Sequence, residues 1–178
     1  MLLFRNRRDG TFEEVASQTG LREMPLHSRR GAAFGDINND GCVDIVTLNL
    51  GEPPSRLLSH CDNGNHRVLF KLLGTRSNRL AIGARVTVKA GKVTQISEVK
   101  SGSSYVSQSD LRQHFGLGTS ATIDEVQVRW PNGNLEKLQG LPADFIYTIA
   151  EGQGIQGKVS RPPVKGSSAA LPESKIIQ

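Results

Sequence analysis

The run Glu125-Val126-Gln127-Val128-Arg129-Trp130-Pro131-Asn132-Gly133-Asn134 places an apolar side chain at every second position and then breaks into Pro, Asn and Gly. Period two is the period of a pleated strand, so Val126, Val128 and Trp130 share one face and pack, while Glu125, Gln127 and Arg129 face water. Pro131 to Asn134 then supplies a tight turn in which Gly133 is free to take positive φ, and the apolar pattern resumes at Leu135. A β-hairpin is predicted. Working outward, short runs rich in Val, Ile, Leu and Phe recur between Gly and Asn punctuation at 68–73, 84–89, 93–99, 113–117, 125–130, 135–138 and 145–150. That spacing is typical of an all-β sandwich or barrel. The expectation is a mainly β, antiparallel domain over residues 65–154, with Phe70, Val86, Ile96, Phe115, Val128 and Ile149 in its core.

The rest of the chain divides by composition. Residues 1–50 alternate Asp, Asn and Gly clusters with short apolar runs. Residues 51–64 read as a connector, with Pro53-Pro54 and Asp62-Asn63-Gly64-Asn65 as turn chemistry. Residues 155–178, with Pro162-Pro163, Gly166-Ser167-Ser168 and little apolar content, are expected to be a disordered tail. A total of 178 residues accommodates one ordinary domain plus a small structural fragment, not a large multi-domain enzyme. With 37% hydrophobic residues, 5% aromatics and 19 glycines, the chain reads as turn-rich rather than as a helical bundle.

Its longest apolar runs are far short of the ~20 residues of a membrane helix, so no membrane span is expected. Met1-Leu2-Leu3-Phe4-Arg5 puts apolar residues before charge, the reverse of an export signal, so no signal peptide is expected in this chain. The net charge is +5, and much of it lies in the last segment, where Lys158, Arg161, Lys165 and Lys175 meet one acid, Glu173. No aromatic or Gly-rich nucleic-acid signature accompanies the basic residues, so nucleic acid is not expected as a partner.

The most specific local signal is Asp36-Ile37-Asn38-Asn39-Asp40-Gly41-Cys42-Val43-Asp44. Oxygen-bearing side chains fall at loop positions 1, 3, 5 and 9, a spacing suited to Ca²⁺, which takes six to eight oxygen ligands at about 2.3–2.6 Å. Asp36, Asn38, Asp40 and Asp44 are the expected side-chain ligands, and Cys42 contributes its backbone carbonyl, so the identity of its thiol should not matter to the ion. An EF-hand does not fit, because Thr47 stands where a bidentate Glu belongs and the flanks, 31–34 and 45–48, look like strands. The competing reading is an Asx-rich turn that satisfies its own backbone. Cys42 and Cys61 fit either one disulfide of an oxidising compartment or two unpaired thiols.

These residues carry a resemblance. Leu3-Phe4-Arg5-Asn6, Asp9-Gly10-Thr11-Phe12-Glu13-Glu14-Val15-Ala16 and Gly31-Ala32-Ala33-Phe34-Gly35-Asp36, with the Asp loop, are similar to one FG-GAP/VCBS repeat of integrin-type β-propellers. The resemblance implies a propeller-blade-like unit over residues 1–50 with a calcium loop. Farther on, Phe70-Lys71-Leu72-Leu73-Gly74-Thr75, Ala81-Ile82-Gly83-Ala84-Arg85-Val86, Ser101-Gly102-Ser103-Ser104-Tyr105-Val106-Ser107-Gln108-Ser109-Asp110, His114-Phe115-Gly116-Leu117-Gly118 and Val128-Arg129-Trp130-Pro131-Asn132-Gly133 resemble the ASPIC/UnbV domain. That domain follows such repeats at the C-terminal end of secreted proteins. An extracellular or periplasmic location, and a longer parent chain carrying the missing propeller blades, are what the resemblance implies.

Tyr105, Gln108, Asp110, Arg112 and His114 concentrate hydroxyl, amide, carboxylate, guanidinium and imidazole groups in ten residues, a weak candidate pocket for a ligand. Loop side chains bonding their own backbone are the plainer reading. No third group that would orient His114 for acid/base work with Asp110 is identifiable. His60, Cys61 and His66 have the spacing of neither a metal cluster nor a nucleophile pair.

The expected function is a non-enzymatic, extracellular, calcium-binding module for adhesion or for a protein or glycan ligand. The alternative is a small-molecule-binding enzyme or accessory protein of a biosynthetic pathway that uses the Tyr105 to His114 segment.

Overall fold

A computed structural model describes residues 1–7, 9–61 and 63–160. The first unit holds a hairpin of β1 (Phe4–Asn6) and β2 (Phe12–Glu14), a turn of 3-10 helix at Ala16–Gln18, and an antiparallel sheet of β3 (Arg29–Gly35), β4 (Asp44–Asn49) and β5 (Glu52–Leu57) in the order β3-β4-β5. The flanks of the Asp loop are therefore strands, as the sequence predicts. Pro53 and Pro54 sit inside β5 where a connector was expected. Their missing N–H groups are tolerated because β5 is an edge strand that pairs on one side with β4.

The second unit is a sandwich. One sheet runs β11 (Leu135–Pro142), β10 (Thr122–Arg129), β7 (Arg85–Ala90), β8 (Val93–Glu98); the other runs β13 (Gly154–Ser160), β12 (Phe145–Ala150), β6 (His66–Leu73), β9 (Gln113–Gly118). Neither closes into a barrel. All pairings are antiparallel except β6 with β12, which run parallel, a departure from the expected antiparallel domain. The alternation read in the sequence decides the packing: Val126 registers with Val88 and Val128 with Val86, and all four are fully buried. From the facing sheet, Phe70 stacks on Tyr147 at 5.8 Å and meets Phe115 edge-on at 6.0 Å. The Tyr147 hydroxyl donates to the Pro142 carbonyl at 2.8 Å, which satisfies it in the core.

Two expectations need correction. Ile96 is 64% exposed and lies outside the core. The register pairs it with Thr87, on the outer face, and turns Gln95 and Ser97 inward beside Val88 and Val86. Those two polar side chains bridge the edge strands of the two sheets, β8 and β9: Gln95 Nε2 donates to the Gly116 carbonyl at 2.7 Å and Ser97 Oγ to Gln113 Oε1 at 2.5 Å. The domain also runs past residue 154, because β13 pairs with β12 through Ile149 and Ile155 and extends to Ser160. The remainder of the expected tail, 161–178, lies outside the described residues.

One buried charge locks the end of the sandwich. Glu151, 2% exposed, accepts backbone N–H groups from Thr75, Arg76 and Ser77 at 2.7–3.0 Å and the Ser77 hydroxyl at 3.0 Å. Burial alone raises a carboxyl pKa, but these donors outweigh it and hold Glu151 down to about 2. The gripping turn is tight because Gly74 has no side chain; a Cβ there would meet the Asn78 carbonyl oxygen at 2.1 Å.

Candidate functional site

The Asp loop joins β3 to β4, and its chain reversal requires left-handed backbone at Asn39 (φ 59°) and Gly41 (φ 83°). Half of its side-chain oxygens accept from the loop's own backbone. Asp36 Oδ2 accepts the Gly41 N–H at 2.9 Å, Asn38 Oδ1 the Asp40 N–H at 3.2 Å, Asp40 Oδ1 the Cys42 N–H at 2.8 Å and Asp44 Oδ2 the Ile37 N–H at 3.0 Å. Asn38 Nδ2 also donates to Asp40 Oδ2 at 2.8 Å, and Asp44 Oδ1 accepts the Ser59 N–H at 2.8 Å. The exception is Asp36 Oδ1. Asp36 is 3% exposed, and this oxygen accepts no hydrogen bond from any described residue. Burial pushes the Asp36 pKa up and the neighbouring Asp40 charge adds to that, against the Gly41 N–H and Arg112.

Among the described residues, no three acidic, His or Cys side chains converge as a ready-made metal cluster. The donor chemistry still fits a hard cation, since the set is carboxylate, amide and carbonyl oxygen, with one buried carboxylate oxygen left over. Asp44 fits least well, because both its oxygens already hold backbone N–H groups.

Cys42 and Cys61 form a disulfide with Cα atoms 5.8 Å apart, which ties the loop to the segment after β5. The thiol at loop position 7 therefore has a structural partner of its own. Arg67, on β6 and 7% exposed, backs this staple: Nη1 donates to Cys42 Sγ at 3.3 Å and Nη2 to the Cys61 carbonyl at 2.9 Å. The sequence reading passed over Arg67. Its only signal is a charge beside the apolar run of β6, where the strand's outer face would otherwise be solvated.

The Tyr105 to His114 segment, read separately from the Asp loop, is folded against it. Residues 100–112 form a strap along β3, with the Asp110 N–H donating to the Phe34 carbonyl at 2.8 Å and the Phe34 N–H to Ser109 Oγ at 3.3 Å. Two glycines of β3 permit this approach. A Cβ on Gly31 would meet Ser107 Oγ at 2.4 Å and the Tyr105 carbonyl at 2.8 Å, and one on Gly35 would meet Asp110 Cβ at 2.7 Å.

Arg112 then reaches into the loop: Nη1 donates to Asn39 Oδ1 at 2.6 Å, Nη2 to the Asp36 carbonyl at 2.5 Å and Nε to Asp110 Oδ2 at 2.6 Å. His114, on the outer face of β9, donates from Nε2 to the Gly41 carbonyl at 2.8 Å, which fixes that tautomer in the neutral ring. Burial lowers its pKa, and the nearby Arg67 and Arg112 charges act in the same direction. Leu69 is buried on the same outer face and shares the wall of a cavity of about 220 Å³ with Phe34, Asp36 and Val43.

Asp110, Arg112 and His114 thus meet the Asp loop. The other two members of the segment do not. Tyr105 is 67% exposed at a turn tip, and Gln108 spends its amide on the strap's own backbone, accepting from the Gly102 N–H and donating to the Ser109 carbonyl. His66 pairs through Nδ1 with Asp144 at 2.6 Å, away from Cys61. Beside the loop, an open groove of about 750 Å³ crosses the outer face of β6 and β12, with Lys71, Asp110, Arg112, Ile146 and Thr148 among its walls.

Comparison with known proteins finds a family match inside the stretch that forms the sandwich. The chain is 38% identical over 88 residues to cartilage acidic protein 1 of Xenopus tropicalis, covering 49% of this chain and 13% of that protein. It is 42% identical over 65 residues to cartilage acidic protein 1 of Homo sapiens, covering 36% of this chain and 10% of that protein. The matched stretch is thus a small part of each relative's length. Residues 74–156 match the family described as ASPIC and UnbV, and the chain accordingly carries an ASPIC/UnbV domain.

Proposed function

We propose that this chain is a non-enzymatic, extracellular β module that binds calcium at the Asp loop and serves adhesion or ligand binding. Asp36, Asn38, Asp40 and Asp44 supply side-chain oxygens and Cys42 its carbonyl, and β1 to β5 are the blade-like FG-GAP/VCBS unit that the ion stabilises. The other blades of the propeller would belong to a longer parent chain. The observation that carries the reading is Asp36: a carboxylate 3% exposed, whose Oδ1 meets no partner among the described residues and whose burial raises its pKa. A buried carboxylate oxygen without a partner is costly, and a cation supplies the missing partner. The Cys42–Cys61 disulfide and relatives named for cartilage support an oxidising, extracellular setting.

A thermal melt in CaCl₂ tests it. Stabilisation should rise with calcium concentration over the millimolar range and be absent with equal MgCl₂, as for a ligand that binds only the native state. Identical melts in calcium, magnesium and chelator refute it.

A second reading, a small-molecule-binding accessory protein, is favoured by one observation: the groove of about 750 Å³ whose wall includes Asp110 and Arg112 has the volume of a small-ligand site.

A further inference from the structure

Two β units meet at the Asp loop, and some of the bonds that fasten them use the loop's own carbonyls. The sandwich takes the Asp36 and Gly41 carbonyls and Asn39 Oδ1 through Arg112 and His114, while the strap lies along β3 through Asp110 and Ser109. Asp36 is itself one of the residues so held, and Asp40 lies between the other two. Ordering the loop around a cation therefore sets the Asp36 carbonyl and the Asn39 amide in place for the Arg112 fork, and the fork in turn holds the loop in the curvature that gathers its carboxylates.

We infer that calcium binding by the Asp loop and docking of the strap on β3 are thermodynamically coupled through Arg112, which makes the loop a cation-operated latch between the three-stranded sheet and the sandwich. The inference rests on the calcium reading above. Arg112 acts as a positioning residue: it bonds the loop's carbonyl and amide oxygens and is anchored by Asp110, and its planar fork serves three acceptors at once, which a lysine ammonium on a flexible stem does not reproduce. Coupling is reciprocal. Whatever factor docking adds to calcium affinity, calcium adds to docking.

The test uses the full chain, calorimetry with CaCl₂ and hydrogen exchange with and without calcium. In the parent, calcium slows exchange of the 101–112 amides, including the Asp110 N–H bonded to Phe34, as well as those of the loop itself. Arg112→Lys and Arg112→Ala weaken calcium about tenfold and remove the calcium effect on the strap, while slow exchange at Phe70 and Val86 shows that the sandwich is folded. Gly31→Ala is the independent arm. The added Cβ presses on the Tyr105 carbonyl, a backbone atom, and lifts the strap without altering any loop residue, so it too lowers calcium affinity. A parent that binds no calcium overturns the calcium reading and the latch with it. A parent that binds calcium, with strap exchange unmoved or with Arg112→Lys and Gly31→Ala binding as tightly as the parent, overturns the latch alone.

Discussion

The Arg67 guanidinium donates to Cys42 Sγ at 3.3 Å, so a charge on the outer face of the sandwich rests directly on the disulfide that closes the Asp loop. The cross-link spans 19 residues, and closing a loop of that length stabilises a folded unit by about 3 kcal/mol in the chain-entropy account. Replacing both cysteines by serine should therefore loosen the first unit and leave the second intact. Hydrogen exchange checks it: amides of β4 and β5 should exchange faster in the double variant, with Phe70 and Tyr147 unchanged. Equal protection of β4 in both proteins refutes the assignment of the staple to that unit.

Glu151 gives the fold an acid-sensitive lock. Its pKa is about 2 when folded, against 4.5 for the free group, so the unfolded chain takes up this proton first as pH falls. The contribution is fully present above about pH 5 and is lost as pH falls through 4.5 towards 2. Denaturant midpoints at pH 7 and pH 3 should show the parent losing more stability than Glu151→Gln between those values. Parallel losses contradict the lock. At pH 7 the substitution should cost on the order of 3 kcal/mol, since hydrogen bonds to a charged acceptor are replaced by weaker ones and an amide cannot satisfy all of the donors.

How much was legible depended on how local the signal was. The strand at Glu125 to Trp130 and its turn could be read because period two and Pro-Asn-Gly chemistry lie within one short stretch. Ile96 was misplaced because β8 has no period-two pattern, its apolar Val93 and Ile96 standing on opposite faces, and only its register with β7 reveals that Gln95 and Ser97 face inward. The last strand, Gly154–Ser160, carries two glycines and few apolar residues, so nothing in its pattern separates it from a polar tail; its place comes from pairing with β12. In the candidate site, the donor spacing of the Asp loop was legible and its company was not. Arg112 and Asp36 stand 76 residues apart, and Arg67 and Cys42 stand 25 apart; contacts of that separation leave no periodic trace in a single sequence.

The position of β13 makes the domain boundary testable. A fragment of residues 65–160 should fold cooperatively, because both four-stranded sheets and their shared core are complete within it. Ending the fragment at residue 154 removes the β12–β13 pairing that includes Ile149 and Ile155, and should lower the melting temperature by about 5 °C or more. Equal melting temperatures for the two fragments would place Gly154–Ser160 outside the stable domain.

Calorimetric titration of the full chain with CaCl₂, beside Asp40→Ala, tests the central claim most directly. The account predicts one site with a dissociation constant of about 10⁻⁴ to 10⁻³ M, the range of extracellular modules, and no measurable binding by the variant. A parent that gives no binding heat at millimolar calcium, or an Asp40→Ala protein that binds as well as the parent, would contradict it.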